Sequence, residues 1–181
     1  AAVSVLLPFL PLLPKQILLN NFLSAIPAMA IVSDNVDRTW VARPRRWNVR
    51  FIRNFMVVFG LISSAFDLLT FALLWWVVQA APAQFRTAWF IESLLTELVI
   101  LLIVRTHLSV WRSAPSRGVW MSSIAVALTA VALPYVPALA TMFGFVPLPW
   151  WLLATLIGIT LAYAAVNEVA KRVFYRHLHW T

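Results

Sequence analysis

Leu12–Asp37 reads LLPKQILLNNFLSAIPAMAIVSDNVD, an apolar run of bilayer length that carries two adjacent asparagines (Asn20, Asn21), a serine (Ser24) and a mid-run proline (Pro27). Each unpaired amide in hydrocarbon costs several kcal/mol, and Pro27 frees a backbone carbonyl one turn upstream. These groups therefore need partners inside a bundle or a wet cavity. Asn20 and Ser24 are four apart and Asn21 and Ser24 three apart, so all three can share one helical face just before Pro27. Such spacing suits an ion site, and it equally suits amides that glue helices together.

Working outward, composition sets the class. With 62% hydrophobic and 11% charged residues, and several apolar runs near or beyond the ~20 residues that span a bilayer, the chain reads as an integral membrane protein, all-α. The expected architecture is a bundle of five complete transmembrane helices, at about 15–32, 54–78, 88–104, 119–133 and 150–169, forming one membrane domain over 1–181. Residues 1–10 read as the end of a preceding helix, stopped by the Pro8, Pro11, Pro14 series. A start lacking a basic flank argues against a cleavable signal peptide. Zero cysteines exclude disulfides and thiolate metal sites, and spans fill the chain so fully that no sizeable soluble domain fits.

The net charge of +8 raises the question of nucleic acid, but the distribution of the 14 Lys and Arg follows a membrane topology. Six arginines lie in the 33–53 loop, among them ARPRRW (42–47). Arg105, Arg112 and Arg117 lie between the third and fourth spans, and Lys171, Arg172 and Arg176 lie in the 170–181 tail. Only Lys15 and Arg86 fall in the alternate connections, so the positive-inside bias makes the Arg-rich loops and the C-terminus cytoplasmic. Nucleic acid is not an expected partner; membrane lipid is. The ten tryptophans gather near span ends, as interfacial belts do.

Polar residues inside the remaining spans are few. Asp67 has Ser63 and Ser64 one turn before it and Thr70 nearly one turn after; structural hydrogen bonding is its favoured role, with cation binding the weaker one. Glu97 lies deep in the third span with Ser93 one turn back, and can offer a hard oxygen to a cation, carry a proton or pair with an amide on a neighbouring helix. Glu92 reads as a first-turn residue, where a helix N-terminus tolerates a carboxylate. Glu168 precedes Lys171 and Arg172 by three and four positions, as a surface ion pair would. His107 and the His177-x-His179 pair are a weak metal signal. The chain has no Walker A loop, dinucleotide glycine fingerprint, G-x-S-x-G elbow or H-E-x-x-H, so by itself it is not an ATPase.

Taken in order, LPFLPLLPKQILLNNFLSAIPAMAIVSDNVD, ARPRRW, FMVVFGLISSAFDLLTFALLWWV and AWFIESLLTELVILLIVRT resemble the C-terminal membrane region of P-type cation-transporting ATPases, most closely the bacterial magnesium-translocating branch. The resemblance covers essentially the whole chain, from the end of the family's fifth membrane helix through its tenth. It implies a bundle that frames a cation path, probable cargo Mg²⁺, in the inner membrane. Its ATP-using nucleotide, phosphorylation and actuator domains would belong to an N-terminal half absent from this sequence. It also implies cation ligands on the first complete span, where Asn21 matches the family's first ligand position and Ser24 a neighbouring hydroxyl position. The acid expected four residues after Asn21 is replaced by Ala25, whose methyl neither coordinates nor titrates. Glu97 matches the family's eighth-helix Glu or Gln. The expected cation ligands are thus Asn21, Ser24 and Glu97, with Asn20 and Asp67 as secondary candidates and Asn21 and Glu97 as the direct metal contacts. Ala25 leaves open a second reading, a non-pumping membrane fragment with a structural or regulatory role.

Overall fold

The computed structural model describes residues 8–35, 49–106 and 115–177. Among them lie six α-helices and no strand. Helix α1 (Pro14–Ala30) starts with proline at its first position, where the missing N–H is no loss, and the Gln16 side chain reaches back to accept the Leu13 N–H at 2.9 Å. It tightens into a 3₁₀ turn, Ile31–Ser33. Helix α2 (Val49–Ala72) runs on into a π-helical turn, Leu73–Val77. A short reversal with Gln79 at φ 49° leads to α3 (Pro82–Val104), again begun by proline. Helix α4 (Arg117–Ala132) is N-capped by Ser116 and ends in a 3₁₀ turn, Leu133–Tyr135. The short α5 (Pro137–Phe143) closes on Gly144 in the left-handed conformation, and α6 spans Trp150–His177.

Five of these are long and apolar enough to cross a membrane, so the protein is an all-α multi-pass bundle. Their limits differ from the expected ones in a consistent way. Helix α2 begins at Val49 rather than Asn54, α3 at Pro82 rather than Ala88, and α6 continues to His177 rather than Val169. Hydropathy marks where lipid begins, whereas backbone hydrogen bonding continues past the interface. The Pro-rich loop between α4 and α6 also contains α5, whose seven residues are too short to register as a periodic segment. Residues 1–7, residues 36–48 of the Arg-rich loop with Trp40, Pro44 and Trp47, and His107, Arg112 and His179 lie outside the described residues, whereas Arg50 and Arg53 fall in α2.

Helix α3 is the hub, packing against α1, α2, α4 and α6 while α1 also packs on α4 and α2 on α6. Its Phe85, Ala88, Phe90, Ile91 and Leu94 are fully buried, meeting Leu74 of the π turn and Leu152 and Leu156 of α6. Outward-facing Leu18, Phe22, Leu61, Leu128 and Leu161 are exposed, the mantle expected of a lipid-facing surface. Because lipid tails are as apolar as leucine, burial alone does not drive these helices together; close packing and buried hydrogen bonds must.

Many of those hydrogen bonds lie at the two ends of the bundle. At the Pro-rich end, buried Gln16 donates to the Phe143 carbonyl (3.1 Å), Lys15 to Met142 O, and Arg86 to Leu10 O (2.9 Å) while its guanidinium stands over the Phe9 ring. The Thr87 hydroxyl accepts the Val146 N–H at 3.0 Å. At the opposite end Arg105 meets Asp34, and Lys171 donates to the Ile103 carbonyl at 2.7 Å. Aromatic rings of Phe51, Phe55 and Phe59 interlock with Phe174 there.

Candidate functional site

In the apolar midsection, Asn20 Nδ2 on α1 donates to Glu97 Oε2 on α3 at 3.2 Å. Asn20 is buried, and its Oδ1 has no hydrogen-bond partner. Ser24, one turn on and also buried, turns its hydroxyl back onto its own helix, donating to Asn21 O at 3.4 Å. Asn21 is exposed on the neighbouring face, and Ala25 is half-buried beside it. The structure thus joins Asn20, rather than Asn21, to Glu97 directly. A helix turns about 100° per residue, so of two adjacent asparagines only one can face a given neighbour.

Glu97 is on the rim of a cleft of about 220 Å³ lined by Ser63, Phe66 and Asp67 of α2, Ser93, Thr96, Glu97 and Ile100 of α3, and Tyr163 of α6. Asp67 and Glu97 are both exposed there, so the cleft presents two carboxylates and several hydroxyls on one open side of the bundle. Its walls are held by local bonds: Ser63 Oγ lies 2.7 Å from the Tyr163 hydroxyl, and Thr96 Oγ1 is shared between the carbonyls of Glu92 (2.9 Å) and Ser93 (3.0 Å). Asn167, one turn beyond Tyr163, donates to the Tyr163 carbonyl at 2.8 Å. Among the described residues no three His, Asp or Glu side chains group tightly enough to hold a metal ion, and the polar groups lining the cleft are carboxylates and hydroxyls.

Glu92 departs from its expected place. Because α3 starts at Pro82, Glu92 sits well inside the helix and is fully buried, with neither carboxylate oxygen hydrogen-bonded. Thr70 of α2, likewise buried, faces the carboxyl as a candidate hydrogen-bond partner. The sequence signal that places Glu92 correctly is Pro82, a preferred first residue of a helix.

At the Arg105 end the Asp34 carboxylate is gripped twice. Its Oδ2 accepts from Arg105 Nη1 at 2.7 Å and its Oδ1 accepts the Ser116 N–H at 2.7 Å, with the two side chains 7% and 1% exposed. Burial by itself would raise the carboxyl. The Ser116 N–H, the Arg105 guanidinium and the Asn35 N–H outweigh it and hold Asp34 below its usual value. Glu168 pairs with Arg172 at 3.4 Å along the outside of α6, the expected i,i+4 ion pair.

A multi-pass helical bundle with a carboxamide–carboxylate pair in its midsection and a polar cleft beside it has the anatomy of the membrane part of an ion-translocating protein. The chain belongs to the cation-transporting ATPase family: the model described as "Cation transporting ATPase, C-terminus" matches residues 9–173. It is similar to proteins named "Magnesium-transporting ATPase, P-type 1". One is from Escherichia coli (strain K12), 35% identical over 98% of this chain and 20% of that protein. Another, from Salmonella typhimurium (strain LT2), is 36% identical over the same shares. A second protein of that name from the same strain is 33% identical over 96% of this chain and 20% of its own length. The chain therefore spans about a fifth of the length of these relatives. The family resemblance carried by SDNVD, ARPRRW and the following spans is borne out.

Proposed function

We propose that this chain is the C-terminal membrane part of a P-type ATPase that moves Mg²⁺ across a bacterial inner membrane. The single observation that carries the reading is the Asn20–Glu97 contact. It brings together the two helices expected to hold cation ligands, and supports the reading by setting an amide and a carboxylate side by side in the midsection. Asn20, Asn21, Ser24, Glu97 and Asp67 line or flank the path, the first and fourth joined directly and the last two opening on the cleft.

Exposed Asn21, Asp67 and Glu97 are costly to leave against hydrocarbon. They are therefore covered by further helices of an N-terminal half, which also supplies the ATP-binding and phosphorylated domains. The relatives, five times longer, support that division. In this reading the end bearing Arg105, Arg117, Lys171 and Arg172 faces the cytoplasm.

Ala25 favours a second reading, a membrane part that no longer pumps. The complete protein that carries this chain, reconstituted in lipid, separates the two. Mg²⁺-stimulated ATP hydrolysis that falls at least tenfold in apparent affinity in Glu97→Ala supports the pump, tenfold being about 1.4 kcal/mol of binding. No Mg²⁺ stimulation in the native protein, with activity appearing in Ala25→Asp, supports the non-pumping form.

A further inference from the structure

Among the described residues, one hydrogen bond in the midsection, Asn20 to Glu97, joins the side chains of α1 and α3. Between that bond and the end of α1 stands buried Pro27. With no N–H to give, it leaves the Leu23 carbonyl without its helical donor and makes a natural point of flexure. At its start, α1 is fixed by Gln16 and Lys15 to the carbonyls of Phe143 and Met142. Past Pro27 it is fixed again. Ser33 Oγ bonds back to Ala30 O at 3.0 Å, the Asp34 N–H to Ile31 O at 2.9 Å, and Asp34 then bridges Arg105, the C-cap of α3, and Ser116, the N-cap of α4.

An acid this close to water has no need to be desolvated. Taking both charges out of solvent makes the pair weak as a source of net stability, so its use lies in specifying geometry. The α3 end that receives it is itself held from α6 by Lys171 on the Ile103 carbonyl.

We infer that the Asp34–Arg105 pair is a positioning device that sets the spacing of α1 and α3 on the far side of Pro27, and through it the approach of Asn20 to Glu97. Neither residue touches the cation. This rests on the reading of α1 and α3 as the cation-binding helices, so the test carries one readout that needs transport and one that does not.

In the complete protein in lipid nanodiscs, Asp34→Asn keeps an acceptor for the Ser116 N–H but removes the charge, Arg105→Gln removes the other charge, and the double variant removes both. Each single variant is expected to weaken apparent Mg²⁺ affinity in ATP hydrolysis about tenfold while the maximal rate stays within about twofold. Amide hydrogen exchange should rise in residues 28–34 and 101–106 and stay unchanged in 14–24, and the double variant should recover part of the affinity.

Unchanged affinity in a folded single variant, a loss confined to the maximal rate, or a double variant that loses the sum of the two would overturn the inference. Should the charge-removing variants not fold, Asp34→Glu and Arg105→Lys keep the charges and shift the spacing; unchanged affinity in both would overturn it equally. Absence of Mg²⁺-dependent hydrolysis in the native protein would refute the pump instead. The exchange readout then decides alone, and unaltered exchange in 28–34 sinks the positioning role.

Discussion

Replacing Asn20 and Glu97 by alanine, singly and together, tests whether the midsection contact binds the helices as its geometry says. At 3.2 Å the bond lies at the long end of N–H···O distances, and its acceptor is a carboxylate. A hydrogen bond to a charged group is worth ~1.5–3 kcal/mol in soluble proteins, but interhelical bonds in membranes average about 0.6 and reach about 1.7. Because Glu97 opens on the cleft while Asn20 is buried, a coupling of ~0.5–1.5 kcal/mol is expected. The free energies come from unfolding the four proteins in mixed micelles, followed by far-ultraviolet circular dichroism, without Mg²⁺. Additivity within about 0.3 kcal/mol would refute a real contact, since independent sites add to that accuracy. Repeating the cycle in saturating Mg²⁺ should shrink the coupling if Glu97 turns to the ion. An unchanged value would assign the pair to packing.

Glu92→Leu removes a fully buried carboxyl that faces only Thr70 among its named partners and is expected to raise stability by ~1–3 kcal/mol, read as a higher melting temperature in detergent; a lower one would mean that the Thr70 hydroxyl bonds it firmly. Gly144→Ala should cost about 1–2 kcal/mol, because φ is +75° at this helix end, while the added Cβ meets Leu13 Cδ1 only at ordinary contact distance; no change in melting would contradict the turn geometry. Asp34 makes stability pH-dependent in a defined direction. Its folded carboxyl titrates below the ordinary value of 3.8, so as pH falls the unfolded chain binds the proton first. The contribution is complete above roughly pH 5, declines through the ordinary carboxylate range and disappears once the folded carboxyl is protonated. Asp34→Asn should flatten that acid limb in unfolding titrations, and an unaltered limb would remove Asp34 as its source.

The all-α membrane class was legible because bilayer-length apolar runs admit little else. The phase of each helix was not. In water, the hydrophobic stripe tells which side of a helix faces the core. In lipid both sides are apolar, so the sequence of α1 holds Asn20 and Asn21 as equals until α3 is in place. Only the contact with Glu97 separates them. Glu92 and Glu97 show the same limit along the helix axis. A helix beginning at Ala88 would leave Glu92 shallow, and the start at Pro82 makes it the more enclosed acid of the two.

The charged residues divide by depth into two jobs. At the ends of the bundle, Lys15, Arg86, Arg105 and Lys171 each give a hydrogen bond to a named oxygen, three of them to backbone carbonyls and one to Asp34. These fasten helix ends where water is close enough to offset part of the cost of desolvation. In the midsection, neither of the ion pairs described above involves Asp67, Glu92 or Glu97. A carboxylate facing the cleft at that depth leaves room for a cation that the protein does not itself provide. Cations fastened at the ends and acids without a cation partner in the middle are, on the function proposed above, what would separate a scaffold that must stay fixed from a path whose charge must come and go.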